Sequence, residues 1–492
     1  MRKFRPGVRV LAGAGAVAAG LSLAVVPTAT IATAEAAGGA HFAVLAPKGG
    51  SLAAAESAVL ANEGTIVRKL PQIGVILAKS ARPDFAAKVR GSGGVAGAGA
   101  TRNLAELTGA VPTASRLEPI TPAVTGPSDR TAAGAEPLSA NQWNMKLIGA
   151  DQANEINQGS RDVLVGILDS GVDSGHPDLA ANLDKSTSVN CAADGVPQTD
   201  EAAWQDQVGH GTHVAGIVAA AKNGVGVAGV APNVRFAAIK VGDAEGYIYP
   251  ESAICGYVWA AEHGVDIANG SFSIDPWYFW CASDPDQAAA AEAVRRSIAY
   301  ATSRSVTPVS SLGNSNWDLA HDVVDTLSPN NGTPVTRTTD GSCQMLPVEA
   351  GGVVGVSSVG AAKSRYYNSN HGTGVVDFTA PGGDRLFQIP ATPDANGQVL
   401  STVPGGYGYS QGTSMASPHV TGVLALLKSR DPSLFGSALE AAAATDAEVL
   451  PCPAGGVHDP DGQGKYRAVC EGGATGAGFY GKGLVNALEA VR

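Results

Sequence analysis

Beyond residue 36 this 492-residue chain has no apolar run long enough for a helical membrane span. Positive charge is scarce as well. Residues 137–492 carry 19 Lys or Arg against 36 Asp or Glu, a net of −17. Phosphate-rich partners need the opposite sign, so DNA, RNA and anionic lipid surfaces are excluded as expected partners. There is no CxxC and no HExxH, which removes compact zinc modules and zincin-type metal chemistry. No GxSxG surrounds Ser414, which argues against a lipase or esterase of the α/β-hydrolase type. Gly476–Lys482 has the glycine and lysine spacing of a phosphate loop. Gly483, however, stands where Ser or Thr should bind magnesium, and no strand precedes it. Aromatic residues make up only 5% of the chain, so the run Trp277-Tyr278-Phe279-Trp280 stands out.

The first 36 residues read as an export signal: Arg2, Lys3, Arg5 and Arg9, then the uncharged run Leu11–Val26, then Ala32, Ala34 and Ala36 at a cleavage-site spacing. A membrane anchor is the rival reading, but the run is short and rich in Gly and Ala. The expectation is a secreted protein without an anchor. Residues 37–136 read as a small α/β unit followed by a linker. Strand-like runs at His41–Leu45 and Gly74–Leu77 flank a helical stretch at Leu52–Ala61. The low-complexity segment 91–100 and the Pro/Thr/Ser/Gly-rich stretch Val111–Pro137 read as flexible and open to proteolysis. That layout fits a zymogen; an adhesion or targeting domain on a tether fits it too. Six cysteines suit an oxidising destination. Bridges Cys281–Cys343 and Cys452–Cys470 would each staple a long polar insertion, leaving Cys191–Cys255; the sequence alone does not fix this pairing, and some could be free and buried.

Residues 137–492 read as one large domain. Val163–Leu168, Phe236–Val241, Val265–Ala268, Thr307–Leu312, Gly352–Val359 and Val375–Ala380 are strand-like, with helices at Glu251–His263 and Ala288–Ser303. Alternation on this scale predicts a three-layer α/β/α fold with a mostly parallel central sheet.

Three residues carry the chemistry. Asp169 ends a non-polar strand, where a carboxylate sits half-buried, with Gly171 permitting a sharp turn. Taken alone it could equally cap a turn. His210 lies between Gly209 and Gly211 at the start of a small-residue helix, and His213 reads as a structural histidine. Ser414 falls in the first turn of a helix, near unpaired N–H groups and the positive helix end. An acid, a base and a hydroxyl nucleophile are the requirements of acyl transfer through a covalent intermediate. Asn314, after the strand Thr307–Leu312 and Gly313, is the candidate oxyanion donor besides the Ser414 amide.

The segments ILDSGVD, GHGTHVAG, SSLGN and GTSMASPH, in that order, resemble the signature segments of the subtilisin-like serine peptidases, over roughly residues 140–492. The resemblance implies a serine endopeptidase in which Ser414 attacks, His210 moves the proton and Asp169 orients the imidazole. It implies that an extended protein or peptide substrate pairs with Ser271, Phe272 and Ser273, beside Gly313. The family generally has Gly where Ser273 stands, so the pockets there are expected to be narrower. With Ser315 after Asn314, an uncharged or hydrophobic residue is expected before the scissile bond. The resemblance also implies that residues 37–136 hold an inhibitory propeptide, cut between Arg130 and Asn141. No cofactor is needed for the chemistry; structural calcium is a family feature, for which Asp173/Asp178 and Asp459/Asp461 are candidates. A monomer is expected. Rival functions are an inactive relative serving as a binding module, and an esterase using the same triad. Three insertions, Ile274–Gln287, Trp317–Pro347 and Glu448–Gly478, are specific to this chain, and the aromatic run in the first either rims the cleft or packs the insertion. Asn269 and Asn331 match the glycosylation sequon.

Overall fold

The computed structural model describes residues 39–102, 120–125 and 136–492. The expected export signal over 1–36 and most of the expected linker lie outside the described residues. Seven parallel strands form the central sheet. From one edge to the other they are Phe378–Pro381, Val354–Val359, Thr307–Ser311, Ile267–Gly270, Leu164–Asp169, Arg235–Lys240 and Val189–Asn190. After Leu164–Asp169 the chain forms the edge strand Val189–Asn190, fills the gap with Arg235–Lys240, then crosses to Ile267–Gly270 on the other side. The sheet therefore reverses its winding between these two strands, and a crevice opens at their carboxyl ends. Asp169 ends one of them; Ser271 follows the other.

Strand periodicity then fixes which side of the sheet holds the chemistry. Leu164–Asp169 is buried at every position, as a parallel strand covered on both faces must be. Val165 and Ile167 join the core beneath the helices His210–Ala219 and Thr413–Arg430, while Leu164 and Leu168 join the opposite core under Pro250–Glu262 and Pro285–Ser303. With a period of two, Asp169 shares a face with Val165 and Ile167. That face carries the helices of His210 and Ser414. The three-layer α/β/α architecture is thus the one its sequence pattern predicts.

The unit before it is a four-stranded antiparallel sheet, ordered Thr65–Leu70, Val75–Ser80, Ala40–Leu45 and Gly97–Ala100. Phe42 and Val44 point into its own core with the helices Ala53–Ala61 and Phe85–Arg90. Ala43 and Leu45 point the other way, into the core around Pro250–Glu262 and Pro285–Ser303. Two segments read as flexible are strands instead. Gly97–Ala100 lies flat on the start of the Pro285–Ser303 helix, so close that a Cβ at Gly99 would sit 2.1 Å from the Asp286 carbonyl oxygen. Its glycines permit backbone contact rather than supply slack. Thr121–Thr125 pairs antiparallel with Gly406–Ser410, extending the hairpin that begins with Val399–Val403.

The disulfides are Cys191–Cys255, Cys281–Cys343 and Cys452–Cys470, with no free cysteine. Both expectations for the aromatic run hold in part. Phe279 and Trp280 are buried in packing cores, whereas Tyr278 borders the cavity beside Ser414. Asn269 and Asn331 are buried, so neither sequon is presented at the surface. Among the described residues, no helix is long and apolar enough to cross a membrane.

Candidate active site

His210 begins its helix directly over the end of the Asp169 strand, and both side chains are fully buried. His210 Nδ1 lies 2.8 Å from Asp169 Oδ1, which also accepts a 2.8 Å bond from the Ser170 N–H. Ser414 is the second residue of the neighbouring Thr413–Arg430 helix. Its Oγ donates to the Ser271 carbonyl at 3.2 Å, and the Ser271 hydroxyl donates back to the Ser414 carbonyl at 2.9 Å. Asn314 is held from the same helix: its Oδ1 accepts from the Thr413 N–H at 2.9 Å and from Thr413 Oγ1 at 3.1 Å. Both bonds fall on the oxygen end of the amide and fix its orientation. Ser271, Phe272, Ser273, Gly313, Asn314 and Ser414 border one cavity of about 140 Å³. Of the residues singled out from sequence, Ser414 and Asn314 thus share a cavity with the substrate-binding candidates, and Asp169 and His210 pair with each other. Asp275 lines it too, a charge the sequence reading missed, with its carboxylate accepting from the Ile248 N–H at 2.7 Å and from Asn330 Nδ2 at 2.5 Å.

The sequence profile of the Subtilase family matches residues 160–467. The chain belongs to the subtilase family. It is a serine protease of the subtilase fold, with His210 paired to Asp169. It is 30% identical to M-protease of Shouchella clausii over 354 residues, 71% of this chain and 70% of that one. It is also 30% identical to fervidolysin of Fervidobacterium pennivorans over 318 residues, 61% of this chain, and spans only 39% of fervidolysin's length. In fold it matches the epidermin leader peptide processing serine protease of Staphylococcus aureus, with a TM-score of 0.67 at 20% identity, covering 92% of this chain and 98% of that one.

Several side chains that support this subtilase site were missed in the sequence. Asp206 accepts at Oδ1 from the Val208 and Gly209 N–H groups and the Ser170 hydroxyl, and at Oδ2 from the Thr212 N–H and hydroxyl. It thereby satisfies the open N-terminus of the His210 helix, where a carboxylate is also favoured by the helix dipole. Asn269 joins the two halves of the cleft, accepting from Ser417 and Thr421 and donating to Ser271 Oγ. Asn370 fixes the turn after Asn314, accepting from the Ser315 and Trp317 N–H groups while donating to the Leu312 carbonyl. Gly412, at φ +135°, has a second reason to be glycine: a Cβ there would stand 2.9 Å from Asn314 Nδ2. Asp, Asn and Thr are ordinary capping and turn residues, so nothing in their local sequence marked them.

The remaining histidines of the core are structural. His213 Nε2 lies 3.1 Å from both the Val399 and Gly408 carbonyls, and burial, with His210 nearby, drives its pKa down to about 3. His419 bridges Asn144 and the Met415 carbonyl, and burial lowers it to about 4. Among the described residues no three His, Cys, Asp or Glu side chains gather as a metal site. Of the acidic pairs considered for calcium, Asp173 is engaged by the Gly175 and Gly405 N–H groups, Asp459 by Gly464 and Asp461 by Gln463. Asp178 accepts at Oδ2 from Val227 and Tyr407, and its buried Oδ1 has no hydrogen-bond partner.

Proposed function

We propose that this subtilase is a secreted serine endopeptidase, made as a zymogen, with Asp169, His210, Ser414 and Asn314 as its catalytic residues. The observation that carries the reading is the buried 2.8 Å Asp169–His210 pair beside the cavity that Ser414 and Asn314 share. Ser414 Oγ attacks the peptide carbonyl carbon and its proton passes to His210 Nε2. Asp169 keeps the imidazole oriented and stabilises its cation through Nδ1–H. Negative charge grows on the former carbonyl oxygen, facing Asn314 Nδ2 and the Ser414 amide at the positive end of its helix. As the tetrahedral species collapses, His210 returns the proton to the leaving amine. A water molecule, deprotonated by the same base, then hydrolyses the acyl-enzyme. Backbone pairing along Ser271–Ser273 aligns the substrate.

Residues 1–36 direct export in this reading, and the small N-terminal unit is the transient inhibitor. Glu136 belongs with the mature body, because its buried carboxylate accepts from the Gly224, Val225 and Gly226 N–H groups. The maturation cut therefore falls before Glu136. Burial raises the carboxyls of both Glu136 and Asp178, and Asp178 adds to the rise at Glu136. A calcium ion at Asp178 Oδ1 would relieve that cost as a structural element, outside the chemistry. A fluorophosphonate probe is expected to label the mature protein at Ser414, and Ser414→Ala is expected to abolish both labelling and casein hydrolysis and to accumulate precursor. An active enzyme that never labels would refute the reading.

A further inference from the structure

The N-terminal unit sets one basic side chain beside the cleft. Arg102, two residues after the strand Gly97–Ala100, holds its guanidinium carbon 4.2 Å from the centre of the Tyr249 ring. Its Nε donates to Glu251 Oε1 at 2.6 Å. Tyr249 stacks on Tyr247, with ring centroids 5.8 Å apart. The second insertion holds both rings: the Tyr247 hydroxyl donates to the Asn330 carbonyl at 3.2 Å, and the Tyr249 hydroxyl accepts from Asn331 Nδ2 at 3.5 Å. Glu251 is 2% exposed, and its Oε2 has no hydrogen-bond partner. Asp243 adds a second carboxylate, which burial raises and the Arg102 charge helps to lower. A guanidinium over a ring and against a buried carboxylate is a strong pairing for a cation.

This site adjoins the reacting centre. Tyr249 follows Ile248, which borders the cavity shared by Ser414 and Asn314. Ile248 exchanges two hydrogen bonds with Asp275, its carbonyl accepting from the Asp275 N–H at 2.8 Å and its N–H donating to the carboxylate at 2.7 Å. Asp275 lies four residues beyond Ser271, whose carbonyl holds Ser414 Oγ. Four extended residues span about 13 Å, so a strand paired along Ser271–Ser273 reaches Tyr249 about four to six residues from its reacting carbonyl. Asp194 and Asp286, also paired with the N-terminal unit, have no chain neighbour at the cavity. Chain order supplies the direction: the maturation cut lies between Arg102 and Glu136, so Arg102 is on the acyl side of the first bond broken. When the N-terminal unit leaves, its guanidinium leaves too. Glu251 stays in the first turn of the Pro250–Glu262 helix, where a carboxylate is favoured.

We infer that Tyr249, Glu251 and Asp243 form a cation site that Arg102 fills in the precursor and that, in the mature enzyme, takes an arginine or lysine of the substrate about four to six residues before the cleaved bond. This rests on the zymogen and endopeptidase readings above.

The test uses mature enzyme, shown by mass to lack its N-terminal unit, and internally quenched peptides of one sequence. A single Arg, Lys or Gln is moved through each position on the acyl side, and fluorophosphonate titration puts every rate on a per-site basis. Wild type is expected to favour Arg over Gln about tenfold in kcat/KM at one position in that window, with Lys between them, the scale of one charge-assisted hydrogen bond beside a ring. Glu251→Gln is expected to bring the ratio within about twofold of unity, and Tyr249→Leu to cut it about threefold. Where Glu251→Gln does not mature, Tyr249→Leu decides. No Arg preference in wild type, a preference confined to the residue next to the cleaved bond, or one that survives these substitutions overturns the site. Absence of turnover and of labelling in wild type would instead overturn the endopeptidase reading, and full activity in a protein that keeps residues 39–102 would overturn the zymogen reading.

Discussion

Thr413 makes three hydrogen bonds that bear on Asn314 without touching substrate itself. Its N–H and its hydroxyl both donate to Asn314 Oδ1, while Oγ1 accepts from the Gly313 N–H at 2.9 Å. Valine at 413 keeps the shape and the N–H but removes both hydroxyl contacts. Each such bond is worth about 1 kcal/mol. Thr413→Val is expected to lower kcat about five- to tenfold with KM changed less than about twofold, because a loosened oxyanion donor costs the transition state and not the ground state. Steady-state kinetics on one peptide checks this; an unchanged kcat removes Thr413 from any positioning role. At this scale the sequence was informative only where chemistry restricts residue choice. An acid, an imidazole, a nucleophile and a neutral amide in small-residue frames are rare together, so Asp169, His210, Ser414 and Asn314 stood out. Thr413, Asp206, Asn269 and Asn370 act through contacts distant in sequence, and their types are common at any helix start or turn.

Among the elements, the buried parallel strands were legible because their apolar runs are continuous, and the helices because small residues recur along them. Gly97–Ala100 was not. A glycine–alanine run reads as a linker, and only its partner explains it: the helix start at Asp286 leaves no room for a side chain. Gly99→Ala puts a methyl group against a carbonyl oxygen that cannot rotate away. Overpacking of this kind costs about 1–3 kcal/mol. In the Ser414→Ala precursor, Gly99→Ala is expected to leave the fold of the peptidase body intact while accelerating limited proteolysis of the N-terminal unit at least fivefold. Equal digestion rates for the two precursors would show that strand and helix are not in contact.

Across the whole molecule, charge is sorted between the two parts that meet. Residues 39–102 carry eight Lys or Arg against three Asp or Glu, whereas the body beyond residue 136 is strongly acidic. The sorting is visible at the contact. His41 and Lys79 both reach Asp194, at 2.8 and 2.6 Å; Arg102 reaches the nearly buried Glu251 at 2.6 Å; Arg90 pairs with Asp286. Sequence showed the asymmetry but not the pairing, which depends on where the N-terminal sheet lands. The His41 contact holds the Asp194 carboxyl well below its usual range against the opposing effect of burial, with Lys79 adding to it. Burial pushes Glu251 up, but Arg102 and His41 outweigh it and hold the carboxyl down. Both groups are depressed in the docked state, so the undocked state binds protons more readily at low pH. The stabilisation they confer is complete above the ordinary carboxylate range, near 4, and is lost as pH falls below it. The Ser414→Ala precursor, cleaved once in the 126–135 segment by an added protease, is therefore expected to retain its N-terminal unit at pH 7 and release it below about pH 4 in size-exclusion chromatography. Glu251→Gln is expected to move release to higher pH, because it leaves Arg102 without its charged partner at the interface. Retention at pH 3 with the body still folded would assign the docking to contacts that do not titrate there, the apolar ones of Ala43, Leu45 and Leu77 and the arginine-to-carbonyl bonds of Arg68 and Arg296.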